Sequence, residues 1–238
     1  MKKVAILQSN YIPWKGYFDM IGCVDEFILY DDVQYTRSDW RNRNKIKTRN
    51  GPMWLTIPIG KHYKRINETQ ISDVNWGKKH WSAIIHNYSK APFFKDYKDI
   101  FEDFYLRGNK RFLSQINYQL IKTITGILDI NTKISFSTDY KLTEGKTERL
   151  VNLVQQAGGS EYISGPSAQN YIIEDFFKAA NIKLTYMVYN NYREYPQLFP
   201  PFEHYVSVID LIFNTGPEAR NYLKYMHEKN NRPQIIHP

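Results

Sequence analysis

Cysteine and long apolar segments are almost absent from this chain. Its 238 residues include one cysteine, Cys23, which excludes an internal disulfide framework and a CxxC metal site. No apolar run is long enough to cross a membrane, and the first residues lead into a strand pattern rather than a secretory signal. We therefore expect Cys23 to be a core residue and the protein to be cytoplasmic, without membrane insertion.

Several motifs of well-known enzyme classes are also missing. The chain has no GxSxG nucleophile elbow, no HExxH zinc motif and no GxxxxGK[ST] phosphate loop. These absences argue against a serine hydrolase of that type, a metalloprotease of that type and a P-loop enzyme. We expect no metal site and no cofactor.

Positive charge and aromatic side chains are abundant. Lysine and arginine number 32 against 24 acidic residues, a net charge of +8, which favours an acidic partner: nucleic acid, a membrane surface or a phosphorylated small molecule. Six of the cations fall within one short stretch: Arg37, Arg41, Arg43, Lys45, Lys47 and Arg49. Aromatic residues make up 16% of the chain and offer flat faces for sugars and bases, or fill a core.

Strand and helix patterns alternate along most of the chain. This order predicts an α/β fold with a mainly parallel, Rossmann-like sheet, of which a degenerate nucleotidyltransferase-like sheet is one form. We expect a single domain over residues 1–238 with an α/β core in residues 1–76 and 131–190. Residues 77–130 are predicted as a helical insertion and residues 191–238 as a C-terminal helical tail.

The opening segment predicts where a ligand binds. Residues 4–8 read as a buried strand, a turn with Pro13 and Gly16 leads into a short helix, and a second strand ends at Asp31 and Asp32. Ligands of parallel α/β sheets bind beyond the carboxyl ends of the strands. A site is therefore expected around this turn and the two carboxylates, with Trp14 and Tyr17 beside them.

Two turns resemble phosphate-binding segments. The turn PWKGY has the spacing of the P-H-x-G-H turn of adenylyl-transferring enzymes, but Trp14 and Tyr17 replace the histidines that stabilise the transferring phosphate, which makes adenylation doubtful. The segment ISGPS follows a strand, and the hydroxyls of Ser164 and Ser167 could hold phosphate oxygens. An ordinary turn with serine as helix cap explains that segment equally well.

The basic stretch and a few titratable residues are the other candidates. Arg41 and Arg43 could bind phosphate bidentately while Asn42 reads a base or sugar, or this stretch is a solvated loop or a nonspecific RNA patch. Histidine supplies a general base near neutral pH without help, although a lone histidine is more often structural. The candidate acid–base groups are His80, His204, Asp31, Asp32 and Asp210.

Taken together, these segments resemble the WbqC-like family, found with bacterial O-antigen and other surface-polysaccharide gene clusters. The resemblance runs through QSNYIPWKGYF (8–18), YDDVQ (30–34), WRNRN (40–44), WLTIP (54–58), Tyr88 with APFF (91–94), YISGPS (162–167), YPQ (195–197) and SVIDLIFNTGP (207–217). Ser9 stands where a proline is expected after Gln8.

The resemblance implies an N-acyl or N-aminoacyl transferase that forms an amide on a nucleotide-linked amino sugar. Arg41 and Arg43 would hold the diphosphate, Trp14 and Tyr17 would line the sugar pocket, and Asp32 or His80 would accept the amine proton. The donor would be a thioester, for example on an acyl or aminoacyl carrier protein. Further binding residues expected from these motifs are Gln8, Tyr11, Asp31, Gln34, Asn42, Ser164, Ser167, Gln197 and Asp210.

Three alternatives remain open from the sequence. One is an ATP-dependent nucleotidyltransferase or ligase that uses the first strand-turn-helix unit for ATP. Another is a noncatalytic binding or scaffold protein of polysaccharide assembly. Nonspecific RNA binding is the weakest, and we do not expect nucleic acid to be the partner.

Overall fold

A five-stranded parallel sheet forms the centre of the protein. The computed structural model describes residues 1–60, 64–108 and 110–224. The sheet strands are β1 (Lys3–Leu7), β2 (Glu26–Leu29), β5 (Lys133–Phe136), β6 (Glu161–Ser164) and β7 (Lys183–Tyr186), and the other two strands form the separate hairpin described below. The spatial order is β5-β2-β1-β6-β7. The prediction of an α/β fold with a mainly parallel, Rossmann-like sheet is confirmed.

The centre of the sheet is also where its direction of growth changes. β1 pairs on one side with β2, Ala5 opposite Phe27, and on its other side with β6, Ala5 opposite Ile163. The chain first adds β2 and β5 on one side of β1 and then returns to add β6 and β7 on the other side. This is the strand order in which ligands bind at the switch point, here between the carboxyl ends of β1 and β6.

Helices cover both faces of the sheet. Alternate residues of β1 point to opposite faces, and the side chains on both faces are buried under helices. Val4 and Ile6 pack against one helical layer, which includes Leu153 and Phe177. Ala5 lies in the larger core on the other face. The helices are α1 (Lys15–Cys23), α2 (Trp76–Tyr88), α3 (Phe94–Arg107), α4 (Leu113–Ile127), α5 (Thr147–Gln156), α6 (Glu174–Ala179) and α7 (Val208–Thr215).

The helices fall largely where the apolar periodicity places them. α2, α3 and α4 occupy the region predicted as a helical insertion, while the division into core, insertion and tail stays a prediction. Part of the predicted tail, residues 225–238, lies outside the described residues. Cys23 is buried at the end of α1. Over the described ranges, no helix is both long and apolar enough to cross a membrane.

The basic stretch differs from the expected loop. Residues 37–50 were predicted as a loop, but β3 (Arg43–Thr48) pairs antiparallel with β4 (Gly51–Thr56). The strand forms because Asn44 and Ile46 alternate with the cations and are fully buried. A 3-10 turn, Ile66–Glu68, comes after the hairpin, and Ile71 forms an isolated bridge with Ile59.

Candidate functional site

A cavity of about 350 Å³ opens at the switch point of the sheet. Gln8 follows β1, Tyr30 follows β2 and Tyr162 belongs to β6, and all three line this cavity. Its opposite wall is the start of α5, with Lys146 and Arg149. No carboxylate lies among its lining residues, so we call it the basic cavity.

The basic cavity can attract an anion in three ways. The Arg149 guanidinium lies over the Tyr30 ring and pairs with the Asp32 carboxylate, and its buried Nε has no hydrogen-bond partner among the described residues. Lys146 is exposed and makes no hydrogen bond or ion pair with the described residues. The first turn of α5 has no side-chain cap, so its backbone N–H groups add a partial positive charge. Phosphate oxygens are the ligands that such a wall favours.

A second cavity, of about 240 Å³, has aromatic walls. The Trp14 indole lies edge-on to Tyr189 at 5.2 Å and tilted to Tyr205 at 5.6 Å between ring centroids, and all three rings line it. The remaining lining residues are Asn10, Pro13, Trp40 and Asn44. Aromatic faces with amide groups between them suit a sugar ring, which has apolar faces and hydrogen-bonding edges. We call it the aromatic cavity.

Arg41 joins the two cavities. Its guanidinium donates to Gln8 Oε1 at 2.6 Å and also to Asn10 Oδ1. Gln8 lines the basic cavity and Asn10 lines the aromatic cavity, so Arg41 bridges the linings of the two cavities, which we call together the two-lobed cleft. Arg41 is only 9% exposed, and its Nε has no partner in the described structure. A positive charge therefore lies at the junction.

Buried polar groups hold the backbone that carries Gln8 and Arg41. Asp31 accepts from the Ser9 backbone N–H at 2.8 Å and from the Ser114 hydroxyl, and burial raises the pKa of its carboxyl. The Tyr17 hydroxyl donates to the Gln8 carbonyl at 3.0 Å, and burial keeps its pKa well above the usual value. Tyr17 lies behind the cleft wall, whereas Trp14 lines the aromatic cavity.

His80 and Tyr11 belong to a closed hydrogen-bond chain. The His80 Nε2–H donates to the Thr56 carbonyl at 3.1 Å, because a carbonyl can only accept, and its Nδ1 accepts from Tyr11 at 2.7 Å. The Tyr11 hydroxyl in turn accepts from Tyr105 at 2.8 Å. Burial lowers the pKa of the His80 imidazole to about 4. His80 lines neither cavity, so the structure does not bring it together with the cleft.

Asp32, the other candidate base, lies directly behind the basic cavity. It is buried, with one oxygen held by Arg149 and the other by the Ser137 hydroxyl. Because Arg149 lines the cavity, Asp32 is within one side chain of the cleft.

The rest of the basic stretch is structural or faces outward. The Arg43 guanidinium stacks on the Trp54 ring at 4.3 Å and donates to the Ser38 carbonyl, and it lines neither cavity. Asn42 is buried, accepts from Tyr35 and donates to the Ile57 carbonyl. The structure therefore separates Arg43 from Arg41.

The other predicted residues lie outside the cleft lining. Gln34 is exposed, the Ser164 hydroxyl points to Tyr162 inside the fold, and Ser167 is exposed on the following turn. Gln197 and Asp210 form a separate buried cluster, in which Asp210 accepts from Gln197, Tyr88 and Tyr195. Burial raises the pKa of the Asp210 carboxyl.

The turn before α1 is covered rather than open. The Trp14 indole lies so close to Gly16 that a Cβ there would overlap the ring. Lys15, 2% exposed, donates to the Arg193 carbonyl at 3.2 Å and lies 5.0 Å from the Tyr195 ring centroid. Burial lowers the pKa of its amine to about 8. An anion therefore meets indole and tyrosine rings at this helix start, not free N–H groups.

Two larger concavities lie away from the strand ends. A groove of about 770 Å³ runs along α4 beside Phe136, and another of about 610 Å³ lies between the hairpin turn and the end of α2. Neither touches the switch point. Within residues 1–60, 64–108 and 110–224, no group of three or more histidine, cysteine, aspartate or glutamate side chains could hold a metal ion.

Several residues that line the cleft were not predicted from the sequence. Lys146 and Arg149 lie in a loop and helix far along the chain from β1, and only the parallel pairing brings them beside Gln8. Tyr189 and Tyr205 come from an irregular segment with no periodic signal. Other lining residues lie inside the motifs quoted above and could be found from them: Asn10, Tyr30, Trp40, Asn44 and Tyr162.

Comparison with known proteins gives one family. Residues 8–222 match the model of the WbqC-like protein family. The chain is 50% identical over 231 residues to a protein of Mycobacterium tuberculosis (strain ATCC 25618 / H37Rv) named "Uncharacterized protein Rv1507c", a match covering 96% of this chain and 100% of that protein. No solved structure matches. The resemblance drawn from the motifs is confirmed.

Proposed function

The chain belongs to the WbqC-like protein family, and from this premise we propose that it is a transferase that acylates a nucleotide-linked amino sugar for a bacterial surface polysaccharide. The acyl or aminoacyl group comes from a thioester donor, and the product is an amide. The observation that carries the proposal is the two-lobed cleft, in which Arg41 joins a basic cavity to an aromatic one.

The chemistry of the two lobes matches the two halves of such a substrate. The aromatic cavity, with Trp14 and the Asn10 and Asn44 amides, takes the sugar. The diphosphate lies at the junction, against Arg41 and Arg149. A diphosphate linking a nucleoside to a sugar has about two negative charges. Arg41, Arg149 and the exposed Lys146 supply the cations. However, Asp32 is already paired with Arg149, and Asp39 lies 3.6 Å from Arg41. The basic cavity, at about 350 Å³, is within the range of about 300–1,000 Å³ that small-molecule sites have in proteins generally, and the aromatic cavity, at about 240 Å³, is smaller.

The reaction needs one proton acceptor and no metal-bound nucleophile. The sugar amine attacks the thioester carbonyl, the C–N bond forms and the C–S bond breaks, and the thiol leaves with the proton. The leaving thiolate can accept the proton that the amine nitrogen loses as the C–N bond forms. His80 is enclosed between Tyr11 and Thr56, and Asp32 lies behind Arg149 at the phosphate lobe rather than at the sugar lobe, so we assign the base role to neither of them.

An ATP-dependent nucleotidyltransferase is the second candidate, since the strand order is the one such folds use. It is the weaker candidate because Trp14 and the buried Lys15 cover the start of α1, where the phosphates of ATP would bind.

Ligand-dependent thermal unfolding tests the proposal. Uridine-diphosphate-linked amino sugars should raise the unfolding midpoint of the wild-type protein, and ATP–Mg²⁺ should not. Loss of a charge-assisted hydrogen bond to phosphate costs about 1.5–3 kcal/mol, so Arg41→Ala should weaken binding roughly 10- to 100-fold. Lys146→Ala tests the same lobe at an exposed position, and Lys141→Ala, on the same loop but outside the cleft, is the matched control.

Activity is then measured as thiol release from an acyl-coenzyme A thioester in the presence of the stabilising sugar nucleotide. Stabilisation by ATP alone would replace the proposal with the nucleotidyltransferase. Stabilisation without thiol release from any thioester would support a binding protein, and no stabilisation by any nucleotide would refute the assignment of the cleft.

A further inference from the structure

Tyr171 differs from every other tyrosine of the cleft. It lines the basic cavity, and its side chain is 58% exposed. Among residues 1–60, 64–108 and 110–224, no ring or cation stacks on it and its hydroxyl makes no hydrogen bond. The other four tyrosines each contact a ring or a cation: Tyr30 with Arg149, Tyr162 with Phe177, and Tyr189 and Tyr205 with Trp14.

The backbone holds this open ring in a fixed place. Tyr171 ends a 3-10 turn, its N–H donating to the Ala168 carbonyl at 3.1 Å. The next residue, Ile172, is buried in the core, and the Ile173 N–H donates to the Thr147 hydroxyl at 3.2 Å. Thr147 is the first residue of α5, so Tyr171 is attached to the helix whose start forms the cationic wall.

Tyr171 places an open ring at the phosphate-binding lobe itself. It lines the basic cavity together with Lys146 and Arg149, and Arg41 bridges the lining of that cavity to the lining of the aromatic cavity. In a nucleotide-linked sugar, the base and ribose lie on one side of the diphosphate and the sugar lies on the other. The tyrosine ring has an apolar face and a polar hydroxyl edge, so beside a cationic wall it suits a base that is stacked next to its phosphates.

We propose that Tyr171 is the platform on which the nucleobase of the substrate stacks. This inference rests on the proposed function, because it assumes that the diphosphate lies against Arg149 and the sugar in the aromatic cavity. It adds that the protein recognises the nucleoside end through ring stacking, a contact that tolerates different bases because every base has an aromatic face.

Calorimetric titration with uridine diphosphate and with inorganic pyrophosphate separates the base from the phosphates. Loss of base stacking on an aromatic side chain should raise the Kd of Tyr171→Ala for uridine diphosphate about fivefold or more. Tyr171→Phe keeps the ring and should stay within about twofold of wild type. Ile173→Ala, an equally exposed neighbour outside the cavity lining, is the control. Pyrophosphate should bind all four proteins equally.

Each other result has a defined meaning. If Tyr171→Ala binds uridine diphosphate like wild type while Lys146→Ala weakens both ligands, the stacking platform is refuted and the phosphate lobe stands. If Tyr171→Ala weakens pyrophosphate as much as uridine diphosphate, Tyr171 shapes the phosphate lobe and the inference is also refuted. If neither ligand binds the wild-type protein, the proposed function fails together with the inference.

Discussion

Acidification should destabilise the protein through His80. The imidazole is 6% exposed and neutral, with Nδ1 accepting from Tyr11 and Nε2–H donating to the Thr56 carbonyl. Protonation would place a second N–H on Nδ1, facing the Tyr11 hydroxyl, which already receives a hydrogen bond from Tyr105. A charge would then be buried, and the Tyr11 and Tyr105 hydroxyls would have to reverse their hydrogen bonds to accept the new N–H, so the folded state resists the proton that the unfolded chain accepts readily.

The size of the effect follows from the two pKa values. Burial lowers the pKa of His80 to about 4 in the folded state, against about 6.5 in an unfolded chain. Because the unfolded state binds the proton first, the free energy of unfolding falls as the pH drops from about 6.5 towards 4. At pH 5 the loss from this one group is roughly 2 kcal/mol.

Urea unfolding at pH 7.5 and pH 5.0 measures this loss. His80→Gln is the comparison, because an amide side chain retains one donor and one acceptor but does not titrate. Other groups, including the half-buried His204, change equally in both proteins, so the difference between the two pH effects isolates His80. The wild type should lose roughly 2 kcal/mol more than the variant. Equal losses in both proteins would show that His80 titrates like an exposed histidine, and the enclosed network would be refuted.

Two further predictions concern α1 and α4. Burial lowers the pKa of Lys15 to about 8, against about 10.4 in an unfolded chain, so its charge disfavours folding at pH 7. Lys15→Met should therefore raise the free energy of unfolding at pH 7 by about 1 kcal/mol or more, and this advantage should shrink as the pH rises from 8 to 10. A variant less stable than wild type at pH 7 would contradict this. Gly16→Ala should lower the free energy of unfolding by about 1–3 kcal/mol, because the added methyl group overlaps the Trp14 indole. Gly126→Ala, in open space within α4, should raise it by about 0.5–1 kcal/mol. Urea unfolding measures both variants, and changes of the same sign would contradict the argument.

Much of the sheet could be predicted because its signals are local. β1 and β2 are short apolar runs, and their chain positions place Asp31 and Asp32 at the carboxyl edge. Helix periodicity likewise located α2, because its apolar residues recur on one face. These features depend on neighbours a few residues apart, which a sequence displays directly.

The cationic wall could not be predicted for the opposite reason. Clustering in the sequence pointed to Arg43 as the partner of Arg41, but Arg41 lies in the turn before β3, whereas Arg43 begins that strand and stacks on Trp54. The second arginine of the cleft is Arg149, more than a hundred residues from Arg41. Its position depends on the parallel pairing of β1 with β6, which no local pattern encodes.

Trp14 stands where the similar turn of adenylyl-transferring enzymes has a histidine, and this difference explains why we propose the anion site at α5 rather than at α1. A histidine at this position could hold phosphate at the start of α1, but the indole packs onto Gly16 and closes that helix start while forming a wall of the aromatic cavity. The start of α5 is uncapped and faces the same switch point from the neighbouring side. The strand order thus keeps the ligand at its usual edge of the sheet, and the side chain at position 14 decides which helix start can reach the ligand's negative charge.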